Sequence, residues 1–498
     1  MEKENELIDQ ILKNSARGEE EFDAADRAKA LYDEGKLEEA AKLWFKAAEA
    51  GDSYAQTCLG ICYLEGDGVP EDEAAAVEWF KKAVAQDYPQ AYYEFAMCLL
   101  TGTGIEENAE EAVNYLKKAA EYDLCAAQYE LAQCYSGGVG TPKNPEEEFY
   151  WLKKSVELNY DKAQYVLGMC YLNGTCTEKN AEEAIALLTR AAEQDNVFAQ
   201  YELGLCSLNG NGTVKDVLKA EEWFKKAAER EYAPAQHDLG KMYDEGNGVP
   251  KNYAAAAELY KKAAEQGYPQ AQNDYGWCFA VGKGVKKDLR EAGRWFRRAA
   301  EQGDMRAQYN LGMCYENGYG MSEDADKAFK WHLKSAEQGD DRAQLHTGWN
   351  YLMGNGVKAN GAEALKWLKR SAMQGNAQAM SDVGYCYQNG TGTKKNREEA
   401  VNWYLKAAGL GNVMAMYNLG CCYRHGTGVK KDALKAVEWY EKAAANGEAD
   451  AMLSLAYMYE HGKGVKKDLN IAAGWYKKAA DAGNEGAAMY LQKKKFKN

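Results

Sequence analysis

Residues 307–315 read Ala307-Gln308-Tyr309-Asn310-Leu311-Gly312-Met313-Cys314-Tyr315. Ala307, Leu311, Cys314 and Tyr315 fall at i, i+4, i+7 and i+8, which places them on one face of an α-helix. The Ala-Gln pair returns at Ala55, Ala127, Ala163, Ala199, Ala235, Ala271 and Ala343, and Ala91, Ala379, Ala415, Ala451 and Ala487 keep the same phase. The interval is 36 residues from position 55 to position 487, with no insertion or deletion. A period of that length belongs to repeat architectures, in which each unit is one supersecondary structure that hides its apolar side only against its neighbours.

The rest of the unit follows from this first helix, helix A. It stops at Gly318, in a column with Gly66, Gly102, Gly138, Gly174, Gly210, Gly246, Gly282, Gly354, Gly390, Gly426 and Gly462; a helix end commonly requires a residue that tolerates positive φ. A second glycine follows two residues later in every unit but one, where Cys176 stands. Next comes an Asp or Asn in all twelve units, such as Asn108, Asp288, Asp324 and Asn396. This is helix N-cap chemistry, and it predicts the start of helix B. Glu111, Glu183, Glu291 and Glu399, three residues after their caps, complete a capping-box pattern. Ala292, Trp295, Phe296, Ala299 and Ala300 then form one stripe, with Trp79, Trp151, Trp223, Trp331, Trp367, Trp403, Trp439 and Trp475 in the tryptophan column. Helix B ends at glycine in the later units (Gly267, Gly303, Gly339) but at Asp87, Asp123, Asn159, Asp195 and Glu231 in the earlier ones. Looser or differently closed turns are expected there. With no period-2 alternation in any unit, the fold expected is all-α, an α-solenoid of stacked helix-turn-helix repeats.

The unit from Ala415 to Gly447 (Ala-x-x-x-Leu-Gly-x-x-Tyr-x-x-Gly-x-Gly-Val, an Asp, then Ala-x-x-Trp-Tyr-x-Lys-Ala-Ala-x-x-Gly) resembles the Sel1-like repeat, a relative of the tetratricopeptide repeat. The resemblance covers residues 55–486 as twelve repeats. It implies a right-handed superhelix with helix A on the concave side, and an adaptor that holds proteins or peptides. Residues 24–54 resemble a shorter, tetratricopeptide-like capping repeat. Residues 1–23 are expected to form an acidic helix, and 487–498 a capping helix with a basic tail, Lys493-Lys494-Lys495-Phe496-Lys497.

Composition narrows the function. The chain has 498 residues, a net charge of −15 and a mean hydropathy of −0.63. The acidic balance argues against a nucleic-acid partner, and nothing is apolar enough for membrane insertion. About half of the excess lies in residues 1–54, with 15 acidic and 8 basic side chains. The opening Met1-Glu2-Lys3-Glu4-Asn5-Glu6 lacks a basic-then-apolar layout, so a cytoplasmic address is expected. Oligomeric state is open.

No catalytic motif emerges: His-Glu-x-x-His, Gly-x-Ser-x-Gly and a dinucleotide fingerprint are missing, and Gly282-Lys283 and Gly462-Lys463 follow helices and lack the Ser or Thr of a phosphate loop. Nine of the thirteen cysteines share one column with Met242, Asn350 and Met458, so they read as core residues. Cys176, in a loop, is the expected reactive thiol. His425 and His461 look like a stacked surface pair without further ligands. A basic residue near the end of helix B in all twelve units reads as a solvated face. No enzyme activity, cofactor or metal is expected. The alternatives are a β-lactamase-like hydrolase, as in a disulfide-stapled branch of the family, and a bacterial effector or signalling regulator. The first is disfavoured because Val84, Ala120, Val156, Ala192 and Ala264 stand where that branch would place a cysteine.

Binding is expected on the side of helix A that faces away from helix B. The third position of the phase carries Tyr129, Tyr165, Tyr201, Tyr309 and Tyr417; the seventh carries Trp277, Trp349 and Tyr385; the residue before the glycine is Asn173, Asn209, Asn317 or Asn389. Aromatic rings supply contact area and amides both donate and accept, a combination suited to an extended peptide or a protein surface.

Overall fold

The helical hairpin around Gly318 shows why each unit folds as it does. Helix A (Met305–Asn317) begins with the Asp304 carboxylate accepting the Ala307 N–H at 2.7 Å, which satisfies one of the helix's orphan donors. It ends at Gly318, whose φ of 68° lets its N–H turn back to the Cys314 carbonyl. Helix B (Ala325–Gln338) opens with Asp324 accepting from the Lys327 N–H at 3.0 Å. The second loop glycine has a different task. A Cβ on Gly320 would lie 2.0 Å from the carbonyl oxygen of Leu289, the first residue of the preceding helix B. That position is where adjacent repeats touch backbone to backbone.

The structure, a computed structural model, describes residues 19–495, with side chains from Ala24 to Gln492. The segment before residue 19 and the side chains of the basic tail lie outside it, so the expected acidic helix over 1–23 is described only from Glu19, as part of the helix Glu19–Asp33. The described residues form 27 helices and no strand. They divide into two units: unit 1 runs to Ala235 and includes Asn247–Val249, and unit 2 comprises Gln236–Gly246 and everything from Pro250 onward. Within each, consecutive helices pack on one another.

The core sits between helices A and B. Ala292, Phe296, Ala299 and Ala300 pack on Ala307, Leu311, Cys314 and Tyr315 as the periodicity predicts, and small residues opposite large ones bring the helix axes close. Trp295 is buried edge-on against Tyr275, with ring centres 5.3 Å apart. Over its face lies the Arg298 guanidinium, 4.5 Å from the ring centre. Lys82, Lys226, Lys334, Arg370, Lys406, Lys442 and Lys478 sit over Trp79, Trp223, Trp331, Trp367, Trp403, Trp439 and Trp475 at 3.5–4.5 Å. The basic column is therefore not merely a solvated face. It covers the tryptophan rings through cation–π contact, which contributes about 0.5–1 kcal/mol at an exposed site.

The Ala-Gln signal also has a physical cause. Buried Gln308 donates to the Ala300 carbonyl at 3.3 Å and accepts from Gln338 of its own helix B at 2.8 Å. Gln56, Gln272 and Gln344 repeat the arrangement. Each glutamine thus gives a second donor to a carbonyl at the end of the previous helix B that already accepts a backbone N–H, and so ties one repeat to the next.

One expectation needs correction. The five non-glycine ends of helix B do not form looser turns. Asp87, Asp123, Asn159, Asp195 and Glu231 take φ of 57–68°, the left-handed conformation also used by Gly267, Gly303 and Gly339. The backbone closes alike: Asp87 N–H reaches the Val84 carbonyl at 3.0 Å, and Gly267 N–H the Ala264 carbonyl at 3.1 Å. Side chains offset part of the strain, as Tyr92 donates to Asp87 and Gln164 to Asn159 at 2.8 Å. Asn and Asp bear this conformation better than other L-residues.

Candidate protein-binding face

The third-position tyrosines do not stand clear of the fold. In unit 1, Tyr129 meets Tyr160 at 5.7 Å, Tyr165 meets Phe198 at 5.9 Å, and Tyr201 lies between Phe224 and Tyr232 at 5.7 and 5.3 Å. Tyr160, Phe198 and Tyr232 belong to the entry of the following helix A, so these rings join neighbouring repeats. Tyr129, Tyr165 and Tyr201 are half-buried, and burial raises the hydroxyl pKa of Tyr129 and Tyr165 above the ordinary value. In unit 2, Tyr309 packs on His332 and His346 under the Arg342 guanidinium, and Tyr417 packs on Tyr440.

The seventh-position residues of unit 2 behave differently. Trp277, Trp349 and Tyr385 are 51%, 43% and 51% exposed. They come from the helices Pro269–Val281, Asp341–Met353 and Ala377–Asn389, with half-buried Met313 at the equivalent place between the first two. Polar groups flank them. The Trp349 indole donates to Asp382 at 2.7 Å, while Gln378 donates to the other oxygen of that carboxylate at 3.1 Å. Burial pushes Asp382 up to about 6 even though both donors oppose the shift. Trp277 borders a recess of about 140 Å³ lined by Lys241, Asp244, Asp274, Lys283 and Arg306. There Lys283 pairs with Asp244 at 2.7 Å and Asp274 accepts from His237 at 2.9 Å. Asn173, Asn209, Asn317 and Asn389 are exposed final residues of helix A. Asn317 and Asn389 turn their amide N–H onto the carbonyls of Met313 and Tyr385, at 3.0 and 3.2 Å, which ties them to the helix end.

His425 and His461 are both exposed, with the His461 ring resting on Tyr457 at 4.2 Å. All thirteen cysteines are free thiols, nine of them buried. Cys176, standing where other repeats have the second glycine, turns toward Cys170 and Glu148. Its hydrogen bond to Cys170 raises its own pKa and holds Cys170 at about 7. The two thiols therefore titrate as one hydrogen-bonded pair.

A second group of potential ligands, Glu316, His332 and His346, escaped the sequence reading. Desolvation lowers the His332 pKa to about 4, so that ring is neutral near pH 7. No spacing motif marks the three, because they come from three helices. The available signal was column-wise: His332 interrupts a column that holds Phe296 and Leu368 in the flanking repeats, and Glu316 one that holds Ala280 and Leu352.

Comparison with known proteins agrees with the architecture. The Sel1 repeat model matches thirteen times, over residues 33–52, 53–88, 89–121, 125–160, 161–196, 197–232, 233–268, 269–304, 306–340, 341–376, 377–412, 413–448 and 449–484. Among solved structures, c5321, a protective antigen present in uropathogenic Escherichia coli strains and displaying an SLR fold, is 31% identical. The match covers 91% of this chain and 90% of that one, with a TM-score of 0.65. A Sel1 repeat protein from Oxalobacter formigenes is 31% identical over 62% of this chain and 89% of its own, with a TM-score of 0.48. Helicobacter pylori cysteine rich protein B is 30% identical over 25% of this chain and 96% of its own, with a TM-score of 0.22. No curated protein matches. Thirteen matches to one repeat model, on a chain of paired helices without strands among its described residues, lead to one conclusion: the chain belongs to the Sel1-repeat family.

Proposed function

We propose that this chain is a non-enzymatic scaffold that binds a protein or an extended peptide along the helix-A face of unit 2, the wall of the groove implied by its repeat type. One observation carries the reading: Trp277, Trp349 and Tyr385 keep about half their surface exposed, while the neighbouring aromatic columns are packed. Large exposed rings on an otherwise polar helix face are typical of binding hot spots. The flanking carboxylates, Lys283 and Arg306 provide the charged rim that sets register. Tyr309 and Tyr417 have a supporting part in unit 2, packing beneath the face, and Asn317 and Asn389 border it; Tyr129, Tyr165 and Tyr201 hold neighbouring repeats together in unit 1, where Asn173 and Asn209 end the corresponding helices. A cytoplasmic address fits thirteen cysteines outside any disulfide, a state that persists in a reducing compartment. Among the described residues, no helix is long and apolar enough to cross a membrane.

The test is affinity capture from the source cell with the Trp277→Ala/Trp349→Ala/Tyr385→Ala variant. A helical circular dichroism spectrum with loss of the partner is expected. Retained capture rejects the face. A second reading, a bacterial effector acting on host proteins, draws on the 31% identity to an antigen of uropathogenic strains. Cell fractionation separates the two, since that reading requires the chain outside the cell.

A further inference from the structure

His332 occupies a place in helix B (Ala325–Gln338) that the flanking repeats fill with Phe296 and Leu368. It is 0% exposed, and neither ring nitrogen has a hydrogen-bond partner. Buried imidazole nitrogens are normally bonded, so one left with two unsatisfied nitrogens calls for an explanation. Nε2 points toward Glu316, but at 4.0 Å it is too far for a hydrogen bond. The same carboxylate oxygen of Glu316, Oε2, lies 3.3 Å from His346 Nδ1. His346 in turn faces the Tyr309 hydroxyl at 3.5 Å through Nε2. One ligand atom from each of Glu316, His332 and His346 lies within 4.8 Å of the other two.

We propose that Glu316, His332 and His346 form a binding site for a zinc-class divalent cation that fastens the repeat over 306–340 to the repeat over 341–376. Two imidazoles and one carboxylate are the ligand set of a borderline ion that accepts both nitrogen and oxygen. Bonds of about 2.1 Å in tetrahedral geometry separate ligand atoms by roughly 3.4 Å. The Glu316–His346 pair already has that spacing at 3.3 Å, the His332 nitrogen has to close on Glu316 by roughly half an ångström, and the ligand atoms start no more than 4.8 Å apart. A fourth position is left for water, because a cavity of about 310 Å³ lined by Tyr315, Glu316, Asp324 and Asn350 opens beside the carboxylate. Tyr309 holds the far nitrogen of His346 and fixes which nitrogen is presented, the usual task of a second-layer partner. All three ligands depart from their columns in the same place. Flanking repeats carry Ala280 and Leu352 for Glu316, Phe296 and Leu368 for His332, and Asn310 and Asp382 for His346.

Those neighbours supply substitutions that the fold already tolerates. The probe is Zn(II), titrated into the metal-free full chain by calorimetry. The background is Cys170→Met/Cys176→Gly, so that the separate group of Glu148, Cys170 and Cys176 does not compete. One Zn(II) per chain is expected, with Ca(II) and Mg(II) failing to displace it. His332→Phe is expected to weaken binding at least about 100-fold while melting, without metal, at or above the parent temperature. His346→Asn changes a half-buried ring and so reports on the site even where His332→Phe fails to fold; it is expected to weaken binding in the same direction. Failure of the parent to bind Zn(II), equal competition by Ca(II), or undiminished affinity in the Glu316→Leu/His332→Phe/His346→Asn variant would overturn the proposal.

Discussion

The helix-A faces of the two units use aromatic residues in opposite ways. In unit 1 the rings stand at the third position, as Tyr129, Tyr165 and Tyr201, and are packed against the next repeat. The seventh position there carries Gln133, Met169 and Leu205. In unit 2 Tyr309 and Tyr417 keep the third position, but it becomes His237, Asn273, Leu345, Ser381 and Leu453 in five repeats, and rings stand at the seventh as Trp277, Trp349, Tyr385 and Tyr457. One turn of helix separates the two positions, yet it moves a ring from a junction between repeats to the surface. The difference teaches that a column of aromatic residues is not a binding surface until its neighbours two helices away are known.

The comparison breaks most visibly at the junctions themselves. Gly320→Ala is expected to cost about 3 kcal/mol or more, because the added methyl meets the Leu289 carbonyl and the residue is held at φ 73°. Thermal melting checks this, and an unchanged midpoint means the repeats do not touch there. Next in size is Tyr201→Ala, expected to destabilise by about 2–3 kcal/mol since it empties the space between Phe224 and Tyr232. Tyr385→Ala, by contrast, should fall within about 0.5 kcal/mol of the parent when the two variants are compared by urea titration. Equal losses from the two tyrosines would erase the distinction between the faces.

A smaller effect sharpens the contrast in turn chemistry. Glu231→Gly should stabilise by about 1 kcal/mol, because glycine adopts φ 61° without the Cβ penalty. Gly267→Glu should cost a similar amount, and a loss of stability from Glu231→Gly would show that the side chain does more than bear strain. The smallest effect is a titration. The folded state holds Asp382 at about 6, above its ordinary value, so the fold binds this proton more tightly than the unfolded chain does. Its contribution to stability therefore grows as pH falls from about 6 towards 4 and is absent above 6. The Trp349 indole N–H resonance should shift with a midpoint near pH 6, and Asp382→Asn should remove that step.

Much of the fold was legible because twelve repeats restate each column. The glycine at which helix A ends, the Asp or Asn that opens helix B, and the Trp-Ala stripe each reflect a local need of the backbone or of one helix pair, which spacing within a unit exposes. The binding face was only half legible. Whether Tyr165 is surface or junction depends on Phe198, which belongs to the next repeat and stands in a column that holds Lys162 and Pro234 in the flanking repeats. The basic column at Arg298 read as solvent-facing because charge dominates its character, although its neighbour Trp295 is a favourable partner. Glu316, His332 and His346 were illegible to motif spacing because three separate helices bring them together. The five non-glycine turns are hard to read for another reason: a glycine marks the left-handed conformation, but its absence does not exclude it, since Asp and Asn adopt it at moderate cost.

The most direct test of the binding face is site-specific photo-crosslinking in the source cell, with the reactive group placed at Met313, between Trp277 and Trp349 in the order of repeats, and in a second chain at Lys334 in helix B. The account predicts a discrete protein adduct from position 313 that disappears in the Trp277→Ala/Trp349→Ala background, and no such adduct from 334. An adduct of equal yield from position 334, or one from 313 that survives loss of both tryptophans, would contradict it.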